Sequence, residues 1–407
     1  MSREASSLPK PDVASVHMHH RQMLQFLGLN ALAGLSVGVA KVTLSLYAIA
    51  LQADAVLLGL IAGAQSVGLL LMSVPAGVLV DRYGPLRLFS IGTLCSGALY
   101  LSMPWVNSAS LLCLVMLLIS CFMPLRIVSL TAMFMQQIGR VGVGMAGWFR
   151  ATHMLGMLLL GPLVAAWLLE GVGFGGSYIA IGGTFLLLVM LAPTVLRHYH
   201  AEAEHVRRLD FAEVKGLFAL IGRDGAVRRA CLREFAIQAA NQYYTFFIIV
   251  IAVQTFGFEP ASAAGLISAQ GMSFVISLLL LGGLAARISV SWFLGAGYAA
   301  VAGALVVLGA AHRAELLWLG GIGLGVGLGM LQIVNISSFA RIGARYGQGR
   351  IAGLTTFIGP AGGLTGSLIG GVSGNWVGLQ AIFLCLSAVF CLFMATGLRS
   401  SGPRPVE

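Results

Sequence analysis

The chain is 407 residues long, and 58% of its residues are hydrophobic whereas only 9% are charged. Soluble domains carry about 25% charged residues, so this composition excludes an ordinary soluble protein and indicates a chain embedded in a membrane. The net charge of +10 raises the question of nucleic-acid binding. However, 21 of the 24 lysines and arginines fall on one side of the predicted spans, which is the positive-inside bias of a membrane protein and argues against a nucleic-acid partner.

The six cysteines are interpreted as small apolar side chains, since none forms a CxxC pair and all lie in or beside apolar runs. Three histidines near the N terminus (His17, His19 and His20) have a spacing compatible with metal binding, but the polar sequence around them favours a disordered tail. We therefore predict no disulfide framework, no metal site and no cofactor.

Apolar runs long enough to cross a bilayer follow one another along the whole chain. Backbone polar groups in lipid must be hydrogen-bonded within the protein, and the runs lack the alternation of barrel strands, so the predicted fold class is all-α. The predicted spans lie near residues 24–50, 55–80, 88–105, 109–135, 147–169, 176–196, 232–256, 261–286, 288–311, 316–339, 351–372 and 376–398.

A hydrophilic stretch divides these twelve spans into two sets of six. The predicted organisation is a cytoplasmic tail (1–23), a first six-helix bundle (24–196), a cytoplasmic linker (197–230), a second bundle (231–398) and a second cytoplasmic tail (399–407). The positive-inside bias places both termini in the cytoplasm, with the protein in the cell inner membrane. We expect a monomer in the lipid bilayer.

The two halves resemble each other at a fixed offset of 206 residues. Gly59 corresponds in this way to Gly265, and Gly77 to Gly283, while the segment LRIVSLT in span 4 aligns with LQIVNIS in span 10. One gap-free offset across spans 2, 4 and 5 predicts a duplicated six-span unit, which is the kind of internal symmetry found in transporters.

The loop between spans 2 and 3 carries the motif GVLVDRYGPLR, which starts at Gly77. Twelve spans in a 6+6 repeat, with GxxxDRxG in this loop, resemble the major facilitator superfamily. The resemblance implies two pseudo-symmetric six-helix bundles that work by alternating access, and a loop that latches the cytoplasmic side in the outward-open state. The implied latch residues are Gly77, Asp81, Arg82, Gly84 and Arg87.

This loop departs from the family pattern, because Pro85 and Leu86 stand where basic residues often follow the second glycine. In the second half Arg287 stands opposite Asp81, so only the first copy is predicted to act as the latch. The alternative interpretation is a plain positively charged loop with one capping acid.

Span 5 contains the segment GMLLLGPLVAA, which starts at Gly156 and partly resembles the Gly-Pro motif of exporters in this family. The final glycines of that motif are alanines here, Ala165 and Ala166. The segment slightly favours export, and the alternative is a proline kink flanked by small packing residues.

Polar residues inside the spans are costly in lipid and normally face a cavity or a partner. Several in spans 1, 4, 7 and 10 fall at three- or four-residue steps, so they share helix faces. These are the spans that the resemblance implies as the cavity lining. The predicted substrate-binding residues are Asn30, Lys41, Arg126, Gln238, Asn241, Gln242, Tyr244, Gln332 and Asn335.

Lys41 and Arg126 give the predicted cavity its charge, since no Asp or Glu falls within the inner part of a predicted span. Such a cavity repels cationic solutes and favours anions. The alternative for both cations is structural pairing within the protein. His153 is a candidate proton carrier, although a lone histidine in a helix is more often a packing residue.

These residues are compatible with two functions and argue against a third. The first is a secondary transporter of a small organic anion, either a carboxylate-bearing metabolite or a siderophore-like compound, with protons as a candidate coupling ion. The second is an exporter of neutral amphipathic compounds, in which both cations are structural. The third, a membrane-embedded enzyme, lacks the convergent nucleophile, base or metal groups that catalysis needs.

Overall fold

The computed structural model describes residues 13–141, 151–196, 219–285, 287–346 and 348–399. Within these ranges the chain is helical apart from short turns and loops. We number the helices in chain order as α1 (Val13–Ala50), α2 (Ala55–Tyr83), α3 (Pro85–Ser102), α4 (Ala109–Val141), α5 and α6 (together Gly161–Leu196), α7 (Gly225–Phe256), α8 (Pro260–Ala285), α9 (Val290–Gly309), α10 (Ala314–Tyr346), α11 (Gln348–Val377) and α12 (Ile382–Arg399).

Helices α5 and α6 follow one another without a loop but are separate spans. Gly173 lies between them with a φ of 65° and a ψ of −169°, a conformation that glycine adopts readily. Helical residues 151–154 and a π-helical turn, Leu155–Leu160, precede Gly161 without a break and are counted with α5 below.

Nine helical segments of the described chain are long and apolar enough to cross a membrane, and the 45-residue Ala151–Val195 contains both α5 and α6. The glycine-rich α11 falls outside that set, and α12 contributes a shorter apolar helix, Ile382–Thr396. The described residues thus form an all-α multi-pass membrane protein, and their helices are consistent with the twelve predicted spans.

The helix packing repeats between the two halves. In the first bundle α1 packs on α5, α2 on α4, α3 on α4, and α3 on α6; in the second bundle α7 packs on α11, α8 on α10, α9 on α10, and α9 on α12. Adding six to each helix number converts the first set of pairs into the second. The repeat in the sequence therefore corresponds to a structural pseudo-symmetry of two six-helix bundles.

Glycines allow the closest helix pairs to form within each bundle. A Cβ atom on Gly161 of α5 would lie 2.6 Å from the Cα of Gly38 on α1. In the second bundle a Cβ atom on Gly366 of α11 would lie 2.3 Å from the carbonyl oxygen of Ala239 on α7. Any larger side chain would separate the backbones, so the absence of a side chain sets these contacts.

The two bundles meet through three helix pairs, α1 with α7, α2 with α11, and α5 with α8. We call the end of the bundle where α1 meets α2 the loop end, and the end where α1 begins and α12 finishes the termini end. Near the loop end a Cβ atom on Gly59 would lie 2.4 Å from the Cα of Gly371. The bundles are therefore in backbone contact at the loop end.

Two helices begin earlier than the sequence predicts. Helix α1 starts at Val13, inside the predicted tail, and α7 starts at Gly225, inside the predicted linker. Asp224 caps α7, because its Oδ1 accepts from the backbone N–H of Ala226 at 2.7 Å and of Val227 at 3.4 Å. The rest of the linker, residues 197–218, and the tails 1–12 and 400–407 lie outside the described residues.

Candidate functional site

A cavity of about 640 Å³ lies between the two bundles. Side chains of α1, α2, α4 and α5 line one side, and those of α7, α8, α10 and α11 line the other. The lining runs from Lys41 and Gln242 in its deepest part to Phe339 and Thr355, which lie close to the termini end of α10 and α11. The cavity has the volume of a small-molecule site and extends towards the termini end, while the α2–α11 contact closes it from the loop end.

Helix α7 supplies a row of polar side chains to this cavity. Glu234, Gln238 and Gln242 follow at four-residue steps and so share one helix face, with Asn241 beside them. Gln270 of α8 donates from its Nε2 to the Oδ1 of Asn241 over 3.3 Å, which fixes that amide. The row presents donors and acceptors along the cavity, as its spacing in the sequence predicts.

Lys41 of α1 brings a positive charge to the deep part of the cavity. Its Nζ donates to the Oε1 of Gln242 over 3.4 Å, so the contact joins the two bundles. In the described part of the chain no carboxylate lies within 4.0 Å of this ammonium. An ammonium in a membrane interior without a counter-ion has a large desolvation cost, and a bound anion would offset that cost.

Glu234 brings a negative charge to the cavity, which the sequence pattern does not predict. Its Oε1 accepts from the Nε2 of Gln238 at 2.9 Å, and its Oε2 accepts from the Nδ2 of Asn335 at 2.6 Å. Behind this pair the Nε of Arg233 donates to the Oδ1 of Asn335 over 2.8 Å. Both carboxylate oxygens are therefore hydrogen-bonded, and Asn335 connects them to a cation.

The prediction that the cavity lacks a carboxylate is therefore wrong. Because α7 begins at Gly225, Glu234 lies in its third turn, where its side chain lines the cavity and is only 7% exposed. Glu234 and Gln242 are eight residues apart, which is about 12 Å along the helix axis. The two charges thus lie at opposite ends of the polar row and do not form an ion pair.

Arg126 does not line the cavity, contrary to the sequence-based expectation. Its side chain is 1% exposed and points into the first bundle, where the guanidinium carbon lies 4.8 Å from the centre of the Phe185 ring. One guanidinium nitrogen donates to the Oγ of Ser36 over 3.4 Å, and the Nη2 has no hydrogen-bond partner among the described residues. The contacts of Arg126 are thus those of a packing residue.

The other predicted binding residues divide between the cavity and the bundle interiors. Gln332 lines the cavity, whereas Asn335 lies behind it in the bond network of Glu234. Asn30 donates from its Nδ2 to the Oγ1 of Thr152 over 3.1 Å, inside the first bundle. Tyr244 is fully buried in the second bundle. Neither Asn30 nor Tyr244 belongs to the cavity lining of the described chain.

His153 lies where α5 packs against α1, and it is absent from the cavity lining of the described chain. A Cβ atom on Gly34 would lie 2.2 Å from the carbonyl oxygen of His153, so the backbones of the two helices touch at this point. The backbone of His153 thus belongs to the contact with α1, whereas Glu234 and Lys41 are ionisable side chains that line the cavity.

The predicted latch residues lie at the termini end. Gly84 ends α2 with a φ of 85°, and Arg82 and Arg87 are exposed on either side of it, with no carboxylate of the described chain within ion-pair distance. A Cβ atom on Gly77 would meet no atom within 4 Å, so this glycine makes no close helix contact in this conformation. The side chain of Asp81 lies outside the described residues.

The comparison with protein families identifies one model. The model described as "Major Facilitator Superfamily" matches residues 26–232, just over half of the 407 residues. No curated protein sequence matches the chain.

Solved structures of several transporters share the fold. The nucleoside transporter NupG has a TM-score of 0.76 at 13% identity, covering 94% of this chain and 100% of that chain. A POT family transporter in complex with 5-aminolevulinic acid has a TM-score of 0.75 at 11% identity, covering 94% of this chain and 96% of that chain. A bacterial homologue of the human lysosomal transporter Spinster, solved inward-facing and unoccupied, has a TM-score of 0.70 at 12% identity, covering 98% of this chain and 100% of that chain.

These identities are low, so the three structures show the fold and carry no information about the solute. The same arrangement of helices around a central cavity and the family match over residues 26–232 lead to one conclusion. The chain belongs to the major facilitator superfamily of membrane transporters.

Proposed function

We propose that the protein is a secondary active transporter that moves a small organic anion across the cell inner membrane by alternating access. A carboxylate-bearing metabolite or a siderophore-like compound fits this class. The observation that carries the proposal is the ammonium of Lys41, which lines the central cavity with an amide oxygen at 3.4 Å and no carboxylate of the described chain in ion-pair distance.

The cavity offers complementary chemistry for such a solute. An anionic group bound at Lys41 would form a charge-assisted hydrogen bond in a region of low dielectric. The amides of Gln238, Asn241, Gln242 and Gln332 supply hydrogen bonds around it. Arg126 has no part in this recognition, since it lies inside the first bundle.

Glu234 is the group that we propose for proton coupling, in place of His153. It lines the cavity, and its two oxygens are held by Gln238 and Asn335. Protonation would neutralise the carboxylate that accepts a hydrogen bond from Asn335, which in turn accepts one from Arg233. It would therefore change the contacts between α7 and α10. A coupling proton at Glu234 and an anion at Lys41 would occupy opposite ends of one cavity.

The positive-inside bias of the sequence supports the termini end as the cytoplasmic end. Because the cavity extends towards the termini end, it would receive a solute from the cytoplasm. Export is the direction that we favour, because of the glycine–proline segment in α5. Gly156 and Gly161 of this segment pack directly on α1, so they also have a structural role.

The experiment that tests the proposal is a solute screen in proteoliposomes with an imposed pH gradient, comparing organic carboxylates with neutral amphipathic compounds. We expect carboxylates to be transported in a gradient-dependent way. Lys41→Met should abolish this transport and Lys41→Arg, which keeps the charge, should retain part of it. Equal carboxylate transport by the wild-type protein and Lys41→Met would rule the proposal out.

The alternative is an exporter of neutral amphipathic compounds. The apolar part of the cavity lining favours this alternative. Met154, Met157, Leu158 and Phe274 contribute to it. Methionine and aromatic side chains adapt to apolar solutes of different shapes. Transport of neutral compounds that is unchanged by Lys41→Met would support this alternative.

A further inference from the structure

A second cavity, of about 680 Å³, lies within the second bundle. It is enclosed by the termini ends of α7, α9, α10 and α12 and shares no lining residue with the central cavity. The proposed transport mechanism makes no use of it. We call it the arginine pocket, after the four arginines in its lining: Arg228, Arg229, Arg233 and Arg341.

The charge of the arginine pocket is not balanced by its lining. Among the described residues no aspartate or glutamate lines it, and none has a carboxylate within ion-pair distance of Arg228, Arg229 or Arg341. By contrast, Arg345 outside the pocket pairs with Asp224 at 3.6 Å. Four guanidinium groups around one cavity create a strongly positive potential that attracts an anion.

The chemistry of the remaining lining indicates what kind of anion fits. Hydroxyl groups lie beside the arginines, from Ser291, Tyr298 and Ser338. Apolar side chains extend the pocket along α9 and α12, among them Leu294 and Phe393. Guanidinium and hydroxyl groups together bind phosphate oxygens, and the apolar surface next to them suits an acyl chain.

The position of the pocket in the fold favours a lipid over a soluble anion. Leu232 and Val290, which line the pocket, are 46% and 45% exposed, so the pocket borders the outer surface of the bundle. Trp292, at the start of α9, is 73% exposed, and tryptophan is enriched at the depth of lipid headgroups. Basic pockets between helices at this depth bind anionic headgroups.

We propose that the arginine pocket binds an anionic phospholipid, with the headgroup phosphate among the arginines and an acyl chain along α9 and α12. The Nε of Arg233 is already engaged by Asn335, and this residue is only 8% exposed. The exposed Arg228, Arg229 and Arg341 therefore provide the main phosphate contacts.

The test uses the full-length protein in neutral detergent with phosphatidylglycerol or phosphatidylcholine added. Lipid retention is measured by native mass spectrometry, and stabilisation by the shift in melting temperature. The variant Arg229→Gln/Arg341→Gln removes two charges from the pocket. The matched control, Arg223→Gln/Arg287→Gln, removes two exposed charges outside the pocket lining.

We expect the wild-type protein and the control to retain phosphatidylglycerol and to be stabilised by it. The pocket variant should bind it about tenfold more weakly, because charge-assisted phosphate contacts are lost. Arg229→Lys/Arg341→Lys, which keeps the charge, should retain most of the binding. This variant shows whether weak binding by the glutamine variant comes from the lost charge or from a folding defect.

Three results would overturn the proposal. The first is equal phosphatidylglycerol binding by the pocket variant and the control. The second is equal retention of phosphatidylcholine, which would show that the headgroup charge is not recognised. The third is equal stabilisation of the wild-type protein by inorganic phosphate alone, which would indicate a site for a soluble anion.

Discussion

The Oε2 of Glu234 accepts a 2.6 Å hydrogen bond from the Nδ2 of Asn335, and this bond joins a carboxylate on α7 to an amide on α10. Asn335 in turn accepts from Arg233, which lines the arginine pocket, whereas Glu234 lines the central cavity. The amide of Asn335 thus links a lining residue of one cavity to a lining residue of the other. A change in the charge of Glu234 alters the contact that holds α7 against α10.

The first prediction concerns Glu234→Gln. This variant should lose solute accumulation driven by a pH gradient, because glutamine cannot carry a proton, but should retain the exchange of labelled for unlabelled solute. The groups of the described chain that lie near Glu234 include Gln238, Arg233 and Cys231 of α7, Asn335 of α10 and Gly359 of α11. Transport assays in proteoliposomes with and without the gradient measure both activities.

The matched control for Glu234→Gln is Glu315→Gln, which removes an exposed acid at the start of α10. It should leave both activities at the wild-type level. Gradient-driven accumulation by Glu234→Gln at the wild-type rate would exclude Glu234 as the proton carrier.

The second prediction concerns Asn335→Leu, which removes the amide that links Arg233 to Glu234. Asn335 is fully buried, so the substitution leaves two charged side chains with an unmatched hydrogen-bonding atom in the interior. We expect the free energy of unfolding to fall by about 1–3 kcal/mol. A lowered melting temperature in detergent measures this loss. Ser338→Ala removes a 3.3 Å bond from Arg233 and a 2.7 Å bond to the carbonyl oxygen of Val334 but leaves the link between Arg233 and Glu234 in place, so it should lower the melting temperature less.

The third prediction separates the two buried cations of the first bundle. Lys41→Met should abolish stabilisation of the protein by anionic solutes, because it removes the cation of the cavity. Arg126→Met should retain that stabilisation, since Arg126 packs on Phe185 and lacks a counter-ion. Burial of a guanidinium without a counter-ion carries a desolvation cost that methionine lacks, so the melting temperature of Arg126→Met should not fall.

The measurement for both methionine variants is the melting temperature across a series of carboxylate concentrations. A loss of the anion-dependent shift in Arg126→Met, with Lys41→Met unchanged, would reverse the assignment of the two cations.

Hydropathy and the internal repeat were sufficient to predict the fold. The apolar runs predicted twelve helices and their approximate positions. The offset of 206 residues corresponds to the matching helix packing of the two bundles. The polar face of α7 could also be predicted from the sequence, because Gln238 and Gln242 are four residues apart and one turn of helix brings them to the same side.

The sequence did not predict that Glu234 lies inside the cavity, or that the side chain of Arg126 points away from it. Arginines at the start of α7 lower its hydropathy, which moved the predicted start towards the apolar residues; the capping signal at Asp224 marks the true start. Arg126 has Gln332 as its repeat counterpart, and Gln332 lines the cavity. The two side chains diverge because Phe185 and Ser36 receive the guanidinium inside the bundle, a contact between residues distant in sequence.

The fourth prediction concerns the closed loop end, where Gly59 of α2 meets Gly371 of α11. Gly59→Val would place a Cβ atom 2.4 Å from the Cα of Gly371, so the two helices must separate. Separation at this contact opens the cavity to the loop end and shifts the population towards the opposite-facing state. Gly183→Val is the matched control, because a Cβ atom at Gly183 meets nothing within 4 Å.

The measurement is the labelling of Ser66→Cys, a position in the cavity lining, by a membrane-impermeant maleimide in a cysteine-free background. Without a further substitution, Ser66→Cys should react mainly from the side of the termini end, because the α2–α11 contact closes the other side. Adding Gly59→Val should increase labelling from the side of the loop end several-fold, and adding Gly183→Val should not. Identical labelling in the two backgrounds would mean that the Gly59–Gly371 contact does not hold the loop end closed.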